Sequence, residues 1–587
     1  MNLLAPSPSV GAQPAVQRDS SPLASAWLLR ALAQFVDNHS WLVFAVVSSV
    51  CGWIRLRAFV FRPLDHDELY TFYIAQAPTL RQLFNLTRTV DLHPPLSYLL
   101  TRLSFSLFGI SAWSCRLPSV LAFVIATAIL FWLVKHILSS LYGIIAALFL
   151  WSVPFAYQAD QARPYSLFLC LTTVMLVGWY RSIETADCGI SPYDRRGALL
   201  TLTVGGFGLL LSHVLGILPY AAFLGAESIR YFIRRKVDGR LWTVLVAPAI
   251  SVLTYLPLIH HRSAVLFTDE YRATPMRMIG FYSWSIRYLP IPLTLIALLS
   301  ALGPALMSPK RAKVDSQARP KSVVWPLGFL LACFTLIPLG VGIIFAHSGT
   351  AFFDRYGVII LIPIALVPAL VLAYRTQGNQ LAATLLALIL GAVFFLNTTG
   401  KPWLIEQLAT FASPAVARYA IAAFALPPFV EERVKPAVPD RLRKAFEAAR
   451  PVTDLNAVEP DLPLVANTGL TFLEIDRQGN AELTHRLYLL GDKQLATSIA
   501  HDTVFEGYDV ISRIFPTRGT VEPYCSFIPK HPHFLVVGAY NHPQGWLLKK
   551  LDMEGADLRI IGTYPGITEE AQLYEVTVSK AACTAGQ

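Results

Sequence analysis

The sequence predicts a polytopic α-helical membrane protein with a C-terminal soluble α/β domain, and three observations predict it. The 587-residue chain is 54% hydrophobic and only 15% charged, against about a quarter charged in soluble domains. Apolar runs near the bilayer-spanning length recur between Trp41 and Leu396. After Asn397 those runs stop, and short apolar strands alternating with helical patterns take over.

Residues 1–35 are rich in Pro, Ser, Ala and Gln and predict a short flexible cytoplasmic tail. They do not order a positive start, an apolar core and a cleavage site, so a cleaved signal peptide is not expected. The membrane domain is placed at residues 36–398, with about 11 spans. They are centred on Trp41–Phe59, Leu117–Leu133, Tyr142–Pro154, Leu167–Tyr180, Ala198–Leu211, Leu215–Phe232, Leu241–Ile259, Tyr288–Leu306, Val324–Phe345, Asp354–Arg375 and Leu381–Leu396. The first outer loop, residues 62–115, carries helical patterns at Glu68–Gln76 and Leu80–Leu86. Pro95–Phe108 is apolar but short and contains Arg102, which fits a helix lying at the interface.

The formal charge of +10 does not call for nucleic acid, because Lys and Arg cluster between apolar runs. With the N-terminus inside, the basic segments 181–197, 234–240 and 310–321 and Arg375 all fall inside, as the positive-inside rule requires. The same parity sends residues 65–68, 157–165, His213, the 260–284 loop and Asp354–Arg355 to the opposite face. Residues 399–460 read as a connector and 461–587 as an outer α/β domain. Its strands are expected at Leu464–Ala466, Leu487–Leu490, Phe534–Gly538, Leu558–Gly562 and Leu573–Val578, with a helix at Trp546–Met553. No Gly-rich loop follows a strand, so no nucleotide fingerprint is present.

The densest acids, Asp65-His66-Asp67-Glu68, stand in the first outer loop. Asp67 and Glu68 fit a general base for an acceptor hydroxyl with a neighbour that positions the acceptor or binds a cation. Solvated surface is the plainer alternative. His93, before Pro94-Pro95, suits a phosphate or sugar hydroxyl as well as it suits a turn before a helix. Arg163 and the Arg355-Tyr356 pair stand at the membrane edge, where a guanidinium meets either a bound lipid phosphate or bulk headgroups. His213 lies between the ends of two spans, where helix packing competes with function. His260-His261 and Asp269-Glu270 match no metal template. Cys525 and Cys583 are the cysteines of the outer domain, and an oxidising compartment would let them pair. Cys51, Cys115, Cys170 and Cys333 read as packing residues.

Taken in order, these elements resemble the polytopic glycosyltransferases of the GT-C fold. In pattern they are similar to bacterial dolichyl-phosphate-mannose-protein mannosyltransferase-like proteins and lipid A aminoarabinose transferases. The elements are Asp67-Glu68, His93-Pro94-Pro95-Leu96, Arg116-Leu117-Pro118-Ser119, Gln161-Ala162-Arg163-Pro164-Tyr165 and Arg355-Tyr356. One departure is Gln161, with Asp160 beside it, where the pattern carries Glu. The resemblance spans about residues 40–400 and implies a GT-C-like fold in a bacterial inner membrane. It implies an inverting transferase that moves a sugar from a polyprenyl-phosphate donor to a hydroxyl of a lipid, glycan or protein. Asp67 and Glu68 would be catalytic, and His93, Arg163, Tyr165, His213, Arg355 and Tyr356 would bind substrate. A divalent cation is left open. Membrane lipids are expected partners and nucleic acid is not. A transporter or flippase of lipid-linked sugars is the alternative from another class, as is a non-catalytic binding protein. A transporter predicts ionisable or broken positions in mid-span, whereas this chain keeps its acids in an outer loop.

Overall fold

The computed structural model describes residues 24–56, 62–91, 93–188, 192–255, 273–306, 320–348, 351–400, 452, 454–501, 512–513, 517–565 and 570–578. Two helices open the described residues, α1 (Ala24–Asn38) and α2 (Ser40–Leu56). Three short helices follow: α3 (His66–Ala75), α4 (Leu80–Thr89) and α5 (Leu96–Phe108). The bundle continues with α6 (Ala112–Ile137), α7 (Ser140–Ser152), α8 (Tyr165–Cys188), α9 (Pro192–Ser212), α10 (Ile217–Arg234) and α11 (Gly239–Val246). It closes with α12 (Pro275–Ser285), α13 (Pro290–Leu306), α14 (Lys321–Ser348), α15 (Leu361–Arg375) and α16 (Gln380–Phe395).

Ala112–Ile137, Tyr165–Asp187, Lys321–Ser348, Asp354–Arg375 and Gln380–Thr398 are each long and apolar enough to cross a membrane, and α12 with Pro290–Ala301 of α13 reaches that length only as a pair, bent by 75° at the break between them. Ser40–Arg55, Leu96–Phe108, Ser140–Ser152 and Gly239–Thr254 are shorter apolar helices. At 13 residues α5 is about 20 Å long, less than the roughly 30 Å of a hydrocarbon core. The protein is therefore a membrane-embedded, multi-pass helical bundle. Close helix approach rests on small residues. A Cβ at Gly178 of α8 would strike the Leu202 backbone of α9, and one at Gly205 of α9 would strike the Met175 backbone of α8.

The stretch expected as a tail through residue 35 is helical from Ala24. Ala33 and Val36, one turn apart, are buried against the bundle, while Leu32 and Phe35 face outward. Tertiary burial of one stripe decides the conformation there, over the Pro- and Ser-rich composition that precedes it. The 260–270 histidines and acids, Cys583 and residues 401–451 lie outside the described residues.

The C-terminal domain is a six-stranded sheet in the order β3-β2-β1-β4-β6-β5. Its strands are β1 (Leu464–Ala466), β2 (Leu487–Gly491), β3 (Thr520–Pro523), β4 (His533–Gly538), β5 (Asp557–Pro565) and β6 (Glu570–Thr577). β1 to β4 run parallel, and β6 joins β4 and β5 antiparallel. Both faces are covered, as a parallel sheet requires. Val465 and Val536 pack under the helix Leu547–Met553, while Leu464, Leu535 and Val537 pack on the other face. That second core also takes in Leu69, Tyr70, Phe72 and Tyr73 of α3. The domain is thus seated on the helix that begins in the acid cluster, with Arg477 over the Phe72 ring at 4.9 Å. Open α/β sheets bind ligands where strand order reverses, here between the carboxyl ends of β1 and β4. Asn467 fills that crevice, donating to the Ala539 carbonyl at 2.9 Å and accepting from the Leu548 amide at 3.3 Å. Cys525 is disulfide-bonded.

Candidate active site

Asp65 caps α3: its carboxylate accepts from the Glu68 amide at 2.9 Å, and Glu68 accepts from the Asp65 amide at 3.0 Å. This capping box turns consecutive residues to different sides. Glu68 is fully buried. Its Oε1 accepts from Arg116 Nε at 2.6 Å and from the Ala162 amide at 2.9 Å, and its Oε2 accepts from Arg116 Nη2 at 2.5 Å. Arg116 is equally buried and also donates to the carbonyls of Arg62 and Pro63 at 2.8 and 2.9 Å. Glu68 therefore spends its carboxylate on fastening α3 to α6 and to the 161–163 loop. Asp67 turns the other way and is 18% exposed, with its Oδ2 paired to Arg355 Nη1.

Arg163 stands beside Asp67 and is nearly sealed. Its fork holds Asp91 at 2.6 and 2.9 Å, and Nη1 also donates to the Asp67 carbonyl at 3.1 Å. Tyr98 adds a hydrogen bond to Asp91 at 2.6 Å. Burial alone would raise the Asp91 carboxyl, but Arg163, His93 and the hydrogen bonds from Arg163 and Tyr98 hold it below its ordinary value. The same two acids, Asp91 and Asp67, overcome burial at Arg163 and keep its guanidinium firmly charged.

An aromatic wall closes the site. The His93 and His213 rings lie 4.8 Å apart, and Tyr165 and Tyr356 stand 5.3 and 6.4 Å from His213. His213 Nδ1 accepts from the Leu215 amide at 3.0 Å, which places the proton of the neutral ring on Nε2. The Arg355 guanidinium rests over Phe353 at 4.4 Å and Tyr165 at 5.9 Å. Asp67, His93, Arg163, Tyr165, His213, Arg355 and Tyr356 thus meet at one end of the bundle, although Asp67 and Arg355 are 288 positions apart. Glu68 lies at the rear of this cluster. Among the described residues no group of three His, Cys, Asp or Glu side chains gathers for a metal ion. Asp91, Tyr98 and Arg116 carried no assigned role in the sequence. The signal for Arg116 was an arginine inside an apolar run, which must find a counterion.

Asp160 ends the segment Pro154–Asp160 behind Glu68. Burial pushes its carboxyl up to about 6, opposed by Arg62 and reinforced by Glu68. A groove of about 870 Å³ runs between α12, α14 and α15, walled by Met278, Ile279, Leu339, Ile343 and Ile364. It reaches Ile360, in the 3-10 segment Asp354–Ile360 that carries Arg355 and Tyr356.

The family described as dolichyl-phosphate-mannose-protein mannosyltransferase matches residues 92–260, which include His93, Arg163, Tyr165 and His213. No curated protein matches the sequence. Two solved structures are similar. One is ArnT from Cupriavidus metallidurans in the apo state, with 13% identity, a TM-score of 0.44, and 94% of this chain and 98% of that chain covered. The other is ArnT from Cupriavidus metallidurans bound to undecaprenyl phosphate, with 14% identity, a TM-score of 0.43, and 96% and 100% covered. Scores below 0.5 assign neither fold nor ligand to this chain. The likeness to GT-C-fold membrane glycosyltransferases read from the motifs therefore stands, carried by residues 92–260.

Proposed function

We propose that the protein is an inverting glycosyltransferase that moves a sugar from a polyprenyl-phosphate donor to a hydroxyl acceptor. The observation that carries this reading is the meeting of a partly exposed carboxylate with a partly exposed guanidinium, Asp67 with Arg355, inside a wall of His and Tyr. Asp67 takes the proton of the acceptor hydroxyl. The acceptor oxygen then bonds to the anomeric carbon from the face opposite the phosphate, and the carbon–oxygen bond to phosphate breaks. The electron pair leaves on the polyprenyl phosphate, whose charge Arg355 stabilises. His93 and His213 supply hydrogen-bonding groups at the depth of the sugar, and Tyr165 and Tyr356 face it with their rings. Glu68 positions the turn that carries Asp67. The apolar groove that reaches Ile360 accommodates the isoprenoid chain of the donor.

Membranes carrying Asp67→Asn and Glu68→Gln test the reading, assayed for transfer from a radiolabelled polyprenyl-phosphate sugar. Loss of transfer in Asp67→Asn, with the protein still folded, is the expected result. Unchanged transfer in that variant would remove the base and with it the proposal.

A further inference from the structure

The two arginines of the site are held in opposite ways. Arg163 has a two-pronged grip on Asp91, a third hydrogen bond to the Asp67 carbonyl, and a side chain only 5% exposed. Its own carbonyl accepts from Ser119 Oγ at 3.1 Å, so the residue is pinned from both directions. The loop around it is laced to the acid turn. Gln161 Nε2 donates to Asp65 Oδ2 at 3.4 Å, the Ala162 amide donates to Glu68, and Arg163 donates to Asp67. A bidentate arginine–carboxylate pair this deep is neutral as a unit and expensive to open. Arg355 meets Asp67 through the single atom Nη1 and is 22% exposed. The Phe353 and Tyr165 rings support its guanidinium independently of that carboxylate.

We propose that Asp91 and Tyr98 commit Arg163 to holding the Asp67 backbone, and that Arg355 is the arginine that exchanges Asp67 for the donor phosphate. The inference rests on the transferase reading and divides its labour. Asp91, Tyr98 and Arg163 are positioning residues. Arg355 is the phosphate ligand, and it holds the oxygen of Asp67 that must later take the acceptor's proton. A phosphate arriving at Arg355 draws the guanidinium off Asp67 Oδ2 and frees that oxygen. Donor binding thereby readies the base, and a hydroxyl arriving first finds it occupied.

The experiment uses the full-length protein in detergent, with a polyprenyl monophosphate as the binding probe and a polyprenyl-phosphate sugar for turnover. Arg355→Ala is expected to weaken probe binding about ten-fold or more, the worth of one charge-assisted contact. Asp67→Asn should tighten it several-fold, because the competing carboxylate charge is gone. Asp91→Asn and the milder Tyr98→Phe should leave probe binding within about three-fold while lowering kcat, by about ten-fold or more for Asp91→Asn. Asp91→Glu should recover part of that loss. The division of labour is overturned if Asp91→Asn or Tyr98→Phe weakens probe binding as much as Arg355→Ala does. It is equally overturned if Arg355→Ala binds like the wild type, or if Asp67→Asn binds more weakly. Binding that follows the expected pattern without sugar transfer by the wild type would sink the transferase reading and leave the roles of the arginines intact.

Discussion

The protein buries charge at both ends of α8, and the two ends are built differently. At the far end, Arg230 is 1% exposed and donates to Glu227 at 2.7 Å and to Asp187 at 3.1 Å. Asp187 also pairs with Arg234 and accepts from Ser322 Oγ at 2.6 Å, while Asp238 pairs with Arg195 and caps α11. This network stitches α8, α9, α10, α11 and α14 together. At the near end, Glu68 with Arg116 and Asp91 with Arg163 are sealed in the same manner, yet Asp67 and Arg355 reach solvent. Ion pairing alone therefore does not mark a site in this protein. At the far end only arginines reach solvent, Arg195 and Arg234, while their acids stay sealed; at the near end the carboxylate of Asp67 is itself partly open, beside rings and a groove able to receive a ligand.

The largest expected effect sharpens that contrast. Asp67→Asn should lower transfer by about 10²–10⁴-fold, the range for a lost general base, with thermal unfolding nearly unchanged. Arg230→Met should do the reverse. Removing one partner of a sealed network leaves buried carboxylates uncompensated, which costs about 3–5 kcal/mol of stability. Denaturant unfolding would read that loss, while the protein that remains folded should keep the wild-type KM for donor. A shifted KM without lost stability would mean that the far network talks to the site. Arg116→Met belongs with Arg230→Met in stability but should also lower kcat, because Glu68 holds the turn of Asp67.

Much of this was legible in the chain. Apolar runs located the helices because a bilayer demands length and composition together. The strands β1, β2, β4, β5 and β6 announced themselves as short apolar runs. β3, Thr-Val-Glu-Pro, did not, because it is an edge strand with charge and proline and little burial. Helix α1 was hidden by the composition of the residues before it. Within the site, loop acids and membrane-edge arginines stood out as costly groups in an apolar sequence. Their pairing did not. That Arg163 belongs to Asp91, and Arg116 to Glu68, depends on contacts across 72 and 48 positions that no local pattern encodes.

The smallest expected effect concerns Asp160, which differs from both ends. Its carboxyl is pushed from 3.8 to about 6, chiefly by burial, and its Oδ1 has no hydrogen-bond partner among the described residues. A folded-state value above the unfolded one means the native protein binds this proton more tightly than the unfolded chain does. The charged form therefore costs stability in full above about pH 6, and the cost shrinks as pH falls toward the unfolded value near 4. A two-unit shift corresponds to about 3 kcal/mol at most, and partial exposure reduces it to about 1–2 kcal/mol. Asp160→Asn should therefore stabilise the protein at pH 7.5 and lose that advantage near pH 4. The check is the difference in unfolding midpoint between variant and wild type across that range. A difference that stays constant with pH would assign the gain to packing instead of charge.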